Sequence, residues 1–179
     1  YICMIGVGWM EGGKWVHKSF ICDKLNTTEE NRIMNEFYNF TISRGNPTLY
    51  YWSAEENFWN NSRKKQFGLE ISETNNPKLN WMDMRNIFVK EPISIHGVFG
   101  FGLKPIVKKM NEYGMIDLSM ESECKDGMMA MVKMWYTYEQ SRYPSKSPVM
   151  KDVSNYNEFD CLALQKILCS LLTFSGRPK

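Results

Sequence analysis

Tyr156 and Asp160 are the two residues of this sequence whose types and spacing first suggest a chemistry. They lie four residues apart in the segment 155–174, whose apolar residues recur at three- and four-residue steps, so a helix projects both side chains from one side. We expect Asn155 or Ser154 to cap the start of this helix. A phenol beside a carboxylate suits a hydrolase that holds a divalent cation and positions a water for attack on phosphorus. An ordinary surface aspartate, favoured by the dipole near a helix start, gives the same spacing.

Two further carboxylates follow predicted strands. Glu55 comes just after the β-rich segment 48–52, at the end of a strand where open α/β sheets place functional side chains. An acidic residue in the first turn of a helix also complements the helix dipole. Glu56 is the alternative to Glu55 if the functional acidic position lies one residue further on. Asp83 ends a short predicted strand that begins near residue 79.

The elements that must position these residues form a mixed α/β order. A chain of 179 residues with 43% hydrophobic content is long enough for one buried core and too short for two domains. We therefore predict a single domain over residues 1–179, with its strands in the first half. The predicted strands are 2–9, 15–22, 48–52 and 79–83, and the predicted helices are 27–44, 55–67, 103–113, 126–143 and 155–174.

The predicted helix 126–143 carries a dense stripe of methionine and aromatic residues. Such stripes at helical spacing usually face a core, so we interpret this one as buried rather than as a cofactor site. Its residues are Met128, Met131, Val132, Trp135 and Tyr138.

The charge of the chain restricts how it can bind nucleic acid. A net charge of +2 gives no general positive field, so any grip on phosphates must come from local clusters. Such a cluster is more often a solvated helix face than a binding site. The clusters are Arg63-Lys64-Lys65 and Lys104 with Lys108-Lys109.

Cysteine and hydropathy patterns indicate the compartment. The five cysteines, Cys124 among them, form no C-x-x-C pair, and no histidine lies at zinc-finger spacing from them. This pattern predicts free thiols in a reducing compartment. No apolar run approaches the length that crosses a bilayer, so we expect no membrane partner. An intracellular chain, cytoplasmic or nuclear, is the expectation, and the abundance of asparagine and lysine fits an AT-rich viral genome.

The order of elements, ending in a helix with Tyr-x-x-x-Asp, resembles the ribonuclease-H-like fold of the DnaQ-like 3′–5′ exonucleases. The likeness is to their tyrosine-bearing DEDDy branch, and within it to the nuclease domain found beside RecB-type nucleases and helicases. It covers most of the chain. The motifs that carry it are 49–55, Trp81-Met82-Asp83-Met84, Phe101-Gly102-Leu103-Lys104, 126–130 and Tyr156-Asn157-x-x-Asp160-Cys161.

The resemblance implies a mixed sheet flanked by helices and a site for two divalent cations. Hard carboxylate ligands suit Mg²⁺ or Mn²⁺, and two such ions stabilise the attacking and leaving oxygens of a phosphodiester displacement. By this likeness Asp160 is a metal ligand, Glu55 fills the second acidic position, and Tyr156 orients the nucleophilic water. Asp83 matches a further acidic position, as a metal ligand or a supporting residue.

The chain departs from this family at two motifs. No Asp-x-Glu precedes Trp9, so the chain starts on what should be the second strand, and the second acidic position is Glu rather than Asp. We expect the missing first strand to lie upstream in the full protein, because a sheet without it leaves apolar surface and backbone groups exposed. With only part of the family's four carboxylates, residues 1–179 should be a poor enzyme.

The leading interpretation is a nuclease domain that removes nucleotides from a DNA or RNA 3′ end within a larger replication, repair or viral machine. The alternative is an inactive module that holds single strands or partner subunits through the basic clusters and exposed aromatics such as Trp52 and Trp59. A polymerase proofreading domain fits less well, because its second motif differs from Trp-Ser-Ala-Glu. His17 and His96 have no recognisable nucleophile partner, so a serine or cysteine hydrolase is not supported.

Overall fold

The computed structural model describes residues 1–67, 77–119 and 126–174. Within these ranges the chain has a mixed α/β architecture of four strands and six α-helices. The elements are β1 (Met4–Glu11), β2 (Lys14–Ile21), α1 (Thr27–Ser43), β3 (Thr48–Tyr51), α2 (Glu55–Phe67), β4 (Asn80–Asp83), α3 (Met84–Lys90), α4 (Leu103–Glu112), α5 (Gly127–Gln140), a 3₁₀ turn (Pro144–Lys146) and α6 (Pro148–Phe174).

The strands form two separate two-stranded sheets in the described part of the chain, where we had predicted a single mixed sheet. β1 and β2 are antiparallel, with Glu11 opposite Lys14 across a turn of Gly12 and Gly13. Both turn glycines have positive φ, 57° and 77°, which glycine adopts without steric cost and which matches the twist of a tight hairpin. β3 and β4 are parallel, with Thr48 opposite Asn80.

α1 packs against the hairpin and forms as its sequence predicts. The side chain of Asn26 accepts a hydrogen bond from the Glu29 amide and so caps the helix. Ile33 and Phe37 recur on one face and are buried. Phe37 meets Phe20 of β2 edge to face at 5.8 Å, which joins the helix to the sheet.

α6 begins seven residues earlier than predicted, which corrects the expected cap. Pro148 occupies the first turn, where a missing amide hydrogen costs nothing, and the Ser147 hydroxyl accepts a hydrogen bond from the Met150 amide. Ser154 and Asn155 lie inside the helix and do not cap it. The predicted motif therefore lies well beyond the first turn, outside the reach of the dipole at the helix start.

The largest apolar cluster packs α3 and α4 against the second half of α6. Ala163 and Ile167 of α6 are fully buried there, and the small alanine side chain allows a neighbouring element to come close. The buried members of this cluster are Trp52, Met84, Phe88, Ile106, Val107, Met110, Ile116, Leu118, Ala163 and Ile167.

The methionine and aromatic stripe of α5 is not core, so the predicted burial is wrong for most of it. Met128 and Met131 are 73% and 61% exposed, Val132 and Trp135 are exposed as well, and Tyr138 is half-buried. The helix is apolar on more than one face, so periodicity did not identify the buried one. The face that packs towards α6 carries the small residues Ala130 and Thr137, together with Met134 and Tyr138.

Two predicted absences concern cysteines and the membrane. Cys3, Cys22, Cys161 and Cys169 are free thiols, as predicted, and Cys124 lies outside the described residues. Among the helices of the described ranges, none combines the length and the apolar character that crossing a bilayer requires.

Gly6 allows α6 to lie close against β1. A Cβ atom at this position would collide with the side-chain amide of Asn157 on α6, and it would also approach His17. Asn157 is held there by His17, whose Nε2 atom lies 3.3 Å from its Oδ1 atom. The glycine therefore fixes how near α6 approaches the first sheet.

We predict that Gly6→Ala lowers the free energy of unfolding by about 1–3 kcal/mol, because the added methyl group overpacks this contact. Asn157→Ala removes the colliding atoms, so the double variant should lose less stability than the sum of the two single losses. Urea unfolding of the four proteins measures this coupling. Gly127→Ala, where a Cβ atom meets nothing within 4 Å, is the control, and strictly additive losses would contradict the contact.

Candidate functional site

A strained turn between β3 and α2 presents Glu55. Ser53 has φ of 91°, in the left-handed region that residues with a Cβ rarely adopt. Its amide donates to Oδ1 of Asp83 at 3.2 Å, and the same oxygen accepts a hydrogen bond from the Asn86 amide at 3.1 Å to cap α3. Asp83 therefore ties the turn to the end of β4. The structure gives this residue a clear positioning role, and its role as a metal ligand stays a prediction.

Trp52 anchors the same turn and is not available as a stacking surface. Its indole is buried and donates to the carbonyl oxygen of Phe101 at 2.9 Å, and its ring meets Phe88 at 5.3 Å. Trp59 is also buried, against Phe37 and Trp81. The predicted use of these two tryptophans as exposed aromatics is therefore wrong, because each fills a core.

Tyr156 and Asp160 meet as their four-residue spacing predicts, and Lys104 joins them. Burial raises the pKa of Tyr156, and the nearby carboxylate of Asp160 raises it further, whereas the nearby ammonium of Lys104 opposes the rise. The Lys104 ammonium lies 4.4 Å from the centre of the Tyr156 ring, within the range of a cation–π contact. An ammonium, a phenol and a carboxylate thus form a short chain between α4 and α6.

The Asp160 carboxylate is only partly satisfied. Its Oδ1 atom is buried and has no hydrogen-bond partner among the described residues. Burial raises the pKa of Asp160 to about 6, and the negative charge of Glu55 adds to this effect, whereas Lys104 and the Tyr156 hydroxyl oppose it. A buried carboxylate oxygen without a donor is costly for the fold, so a cation or a donor from a ligand would stabilise it.

Glu55 and Asp160 lie on the wall of one cavity of about 960 Å³. Burial by the surrounding protein also raises the pKa of Glu55, and the nearby charge of Asp83 contributes to the rise. Both carboxylates therefore resist ionisation, and a positive ion between them would favour their charged forms. The cavity also meets β1, β3 and the middle of α6.

The two carboxylates fit part of a metal site. Carboxylate oxygens are the ligands that Mg²⁺ and Mn²⁺ prefer, and the partnerless Oδ1 of Asp160 is free to act as one. Within the described ranges no group of three or more His, Cys, Asp or Glu side chains is arranged to hold a metal ion. Asp160 and Glu55 would thus provide an incomplete set of ligands by themselves.

The predicted basic cluster on α2 does not form a continuous surface. Arg63 is buried, donates to Oδ1 of Asn35 at 3.1 Å and packs over the rings of Tyr38 and Trp59. Burial lowers its pKa. Lys64 is exposed on the same helix, so it lies on a different face from Arg63. Of the predicted nucleic-acid contacts, Lys104 is the one that the structure brings to the carboxylates.

No protein-family model, curated protein or solved structure matches this chain. The resemblance to the DEDDy exonucleases therefore stays a prediction that rests on the motifs. The geometry that joins Glu55, Tyr156, Asp160 and Lys104 is independent of that resemblance.

Sequence reasoning missed two features that build the site. The left-handed backbone of Ser53 has no signal in a non-glycine residue. Asp83 caps α3 by accepting a hydrogen bond from the Asn86 amide. Aspartate is a preferred residue at this position, so an aspartate just before the predicted helical turn could have identified the cap. The cavity itself depends on the spacing of separate sheets, which no local pattern encodes.

Asp160→Asn should stabilise the fold at neutral and alkaline pH. The pKa of Asp160 is raised to about 6 in the folded state. The stability that protonated Asp160 gives the folded state is therefore fully present below about pH 4, and it is lost as the pH rises through 6. We expect the variant to match the wild type below pH 4 and to be more stable by about 1–3 kcal/mol above pH 7.

Urea unfolding at several pH values measures this difference. Asp117→Asn changes an exposed aspartate and should stay within about 0.5 kcal/mol of the wild type throughout. A stability gain in Asp160→Asn that does not vary with pH would contradict a buried, ionising carboxylate.

Proposed function

We propose that this protein is a divalent-cation-dependent phosphodiester hydrolase, a nuclease, with its site at Asp160, Glu55 and Tyr156. The observation that carries the proposal is the buried, partnerless Oδ1 of Asp160, in a carboxylate that shares a cavity wall with Glu55. A buried carboxylate oxygen without a donor costs stability unless a cation or a ligand donor offsets it. Keeping the pair at an open cavity is typical of a functional site.

Asp160 and Glu55 would hold Mg²⁺ or Mn²⁺, which supplies Lewis-acid stabilisation of a phosphoryl oxygen when bound. Tyr156 would orient water, because its hydroxyl can both donate and accept a hydrogen bond and lies close to the charges of Lys104 and Asp160. Lys104 fixes this phenol and places a positive charge beside it, which favours an approaching phosphate. These roles use contacts that join α4 to α6.

The substrate class follows from the motif resemblance. A 3′–5′ exonuclease acting on DNA or RNA, as part of a replication, repair or viral machine, is the most specific form of the proposal. Recognition of the sugar depends on contacts near the ribose 2′ position, and both substrates therefore enter the test.

A second candidate is an inactive module that binds nucleic acid or scaffolds partners. It is supported by the incomplete ligand set, since Asp160 and Glu55 lack a third metal-ligand side chain within the described ranges. The burial of Trp52, Trp59 and Arg63 counts against the particular surface that the sequence suggested for it.

Cation binding tests the site directly. We expect Asp160→Asn and Glu55→Gln each to weaken Mn²⁺ binding by at least roughly 10–100-fold, the loss that even an outer-shell partner causes. Electron paramagnetic resonance titration of Mn²⁺ with the chain measures this affinity. Glu158→Gln is the matched control, because it lies on the same helix and accepts its hydrogen bond from Trp15, as glutamine also can.

Hydrolysis of 3′-labelled single- and double-stranded DNA and RNA by the 179-residue chain in Mg²⁺ or Mn²⁺ tests the chemistry. Activity that disappears in Asp160→Asn supports the nuclease. Equal Mn²⁺ affinity in wild type and both site variants would refute the cation site. Strand binding without hydrolysis would favour the inactive module.

A further inference from the structure

The cavity beside Glu55 and Asp160 runs along the edges of two strands. Residues 4–9 of β1 and residues 48–52 in and after β3 line it without a break. Successive side chains of a strand point to opposite faces, so an unbroken run of lining residues means that the cavity meets each strand at its edge. β2 and β4 each contribute one lining residue, Trp15 and Trp81.

These two edges are the unpaired ones. β1 pairs with β2 on one side, β3 pairs with β4 on one side, and within the described residues no ladder joins either strand to anything else. Each strand therefore directs alternate backbone N–H and C=O groups into the cavity between them. Backbone groups that border a cavity need partners, and two facing rows of them match the two edges of an extended chain.

Helices cover the plane of the sheets on both sides. Ile5 and Val7 of β1 pack in the cluster of α1, whereas Met4 packs in the cluster of α5 and α6. The cavity is bordered by the same helices, with Phe37 of α1 and Leu164 of α6 among its lining residues. A segment placed between β1 and β3 would be buried on both faces, as strands inside α/β proteins are.

We propose that this cavity is the seat of one added β-strand, an extended polypeptide segment of about four to six residues that is apolar on both faces. It pairs with β1 and β3 and joins the two small sheets into one. A polypeptide is the occupant because the facing edges offer two rows of backbone donors and acceptors, which a compact apolar ligand cannot satisfy. The sugar-phosphate backbone of a nucleic-acid strand has no N–H donors to pair with the C=O groups of these edges. The inference concerns the fold and does not depend on the proposed hydrolase activity.

Binding of a synthetic strand tests the seat. The probe is a peptide of about five alternating valine and isoleucine residues with lysines at both ends, which keep it soluble and discourage self-association. The 179-residue chain is titrated with it in EDTA, so that the result is independent of any cation. Amide hydrogen exchange of β1 and β3, followed by NMR, is the readout.

We expect alternate amides of β1 that point away from β2, and amides of β3 that point away from β4, to exchange about a hundredfold more slowly at 100 times the dissociation constant. The paired amides of β2 should change little. A peptide with proline at its centre lacks a donor and should give no protection.

Three results would overturn the proposal. In the first, the proline peptide protects the amides as well as the probe does. In the second, neither peptide slows amide exchange in β1 and β3. In the third, these amides are already protected before any peptide is added, and the chain sediments as a dimer. The last result would mean that a second copy fills the seat.

Discussion

The close contact between Gly6 and Asn157 is the constraint on which the site depends. It fixes the distance between β1 and α6, and α6 carries Tyr156 immediately before Asn157 and Asp160 three residues after it. The second half of α6 is held separately, because Ala163 and Ile167 are buried against α3 and α4. Asp160 lies between these two contacts and has little freedom to move, so the packing of the helix holds its carboxylate in place.

This rigidity explains how an unfavourable group is retained. Asp160 is partly buried, leaves one oxygen without a partner in the described part of the chain and has a pKa raised to about 6 by burial. Ser53 is held in a left-handed conformation beside Glu55. Both features cost stability. Asp160 lines the cavity, and Ser53 lies between the lining residues Trp52 and Glu55. Strain and unsatisfied polar groups that surrounding packing maintains beside a cavity are typical of functional sites.

The sequence predicted the parts that local physics determines. The existence of β1 and β2, the extent of α1 and the proximity of Tyr156 to Asp160 all follow from short-range rules. Wrong predictions arose where several faces or partners compete. α5 is apolar around much of its surface, so its buried face is chosen by the small side chains that let α6 approach, and not by the largest stripe.

Burial of individual aromatic and charged residues was equally hard to predict. A tryptophan or an arginine can lie in a binding surface or in a core, and its residue type does not tell which. Only the tertiary partners show that these two are buried: Trp52 donates to Phe101 and Arg63 donates to Asn35. The cavity is harder still to predict from local sequence rules, because it results from two sheets that do not pair with each other.

The strand seat and the cation site share this cavity, and their energetics are therefore linked. A strand between β1 and β3 would remove water from the walls on which Glu55 and Asp160 lie, and lower local polarity strengthens every charge interaction there. The cost of ionising both carboxylates would rise, and so would the attraction of a cation for them. If the strand favours cation binding, the cation must favour strand binding by the same factor, because coupling between two sites is reciprocal. Completion of the sheet and formation of the metal site would then be two parts of one equilibrium.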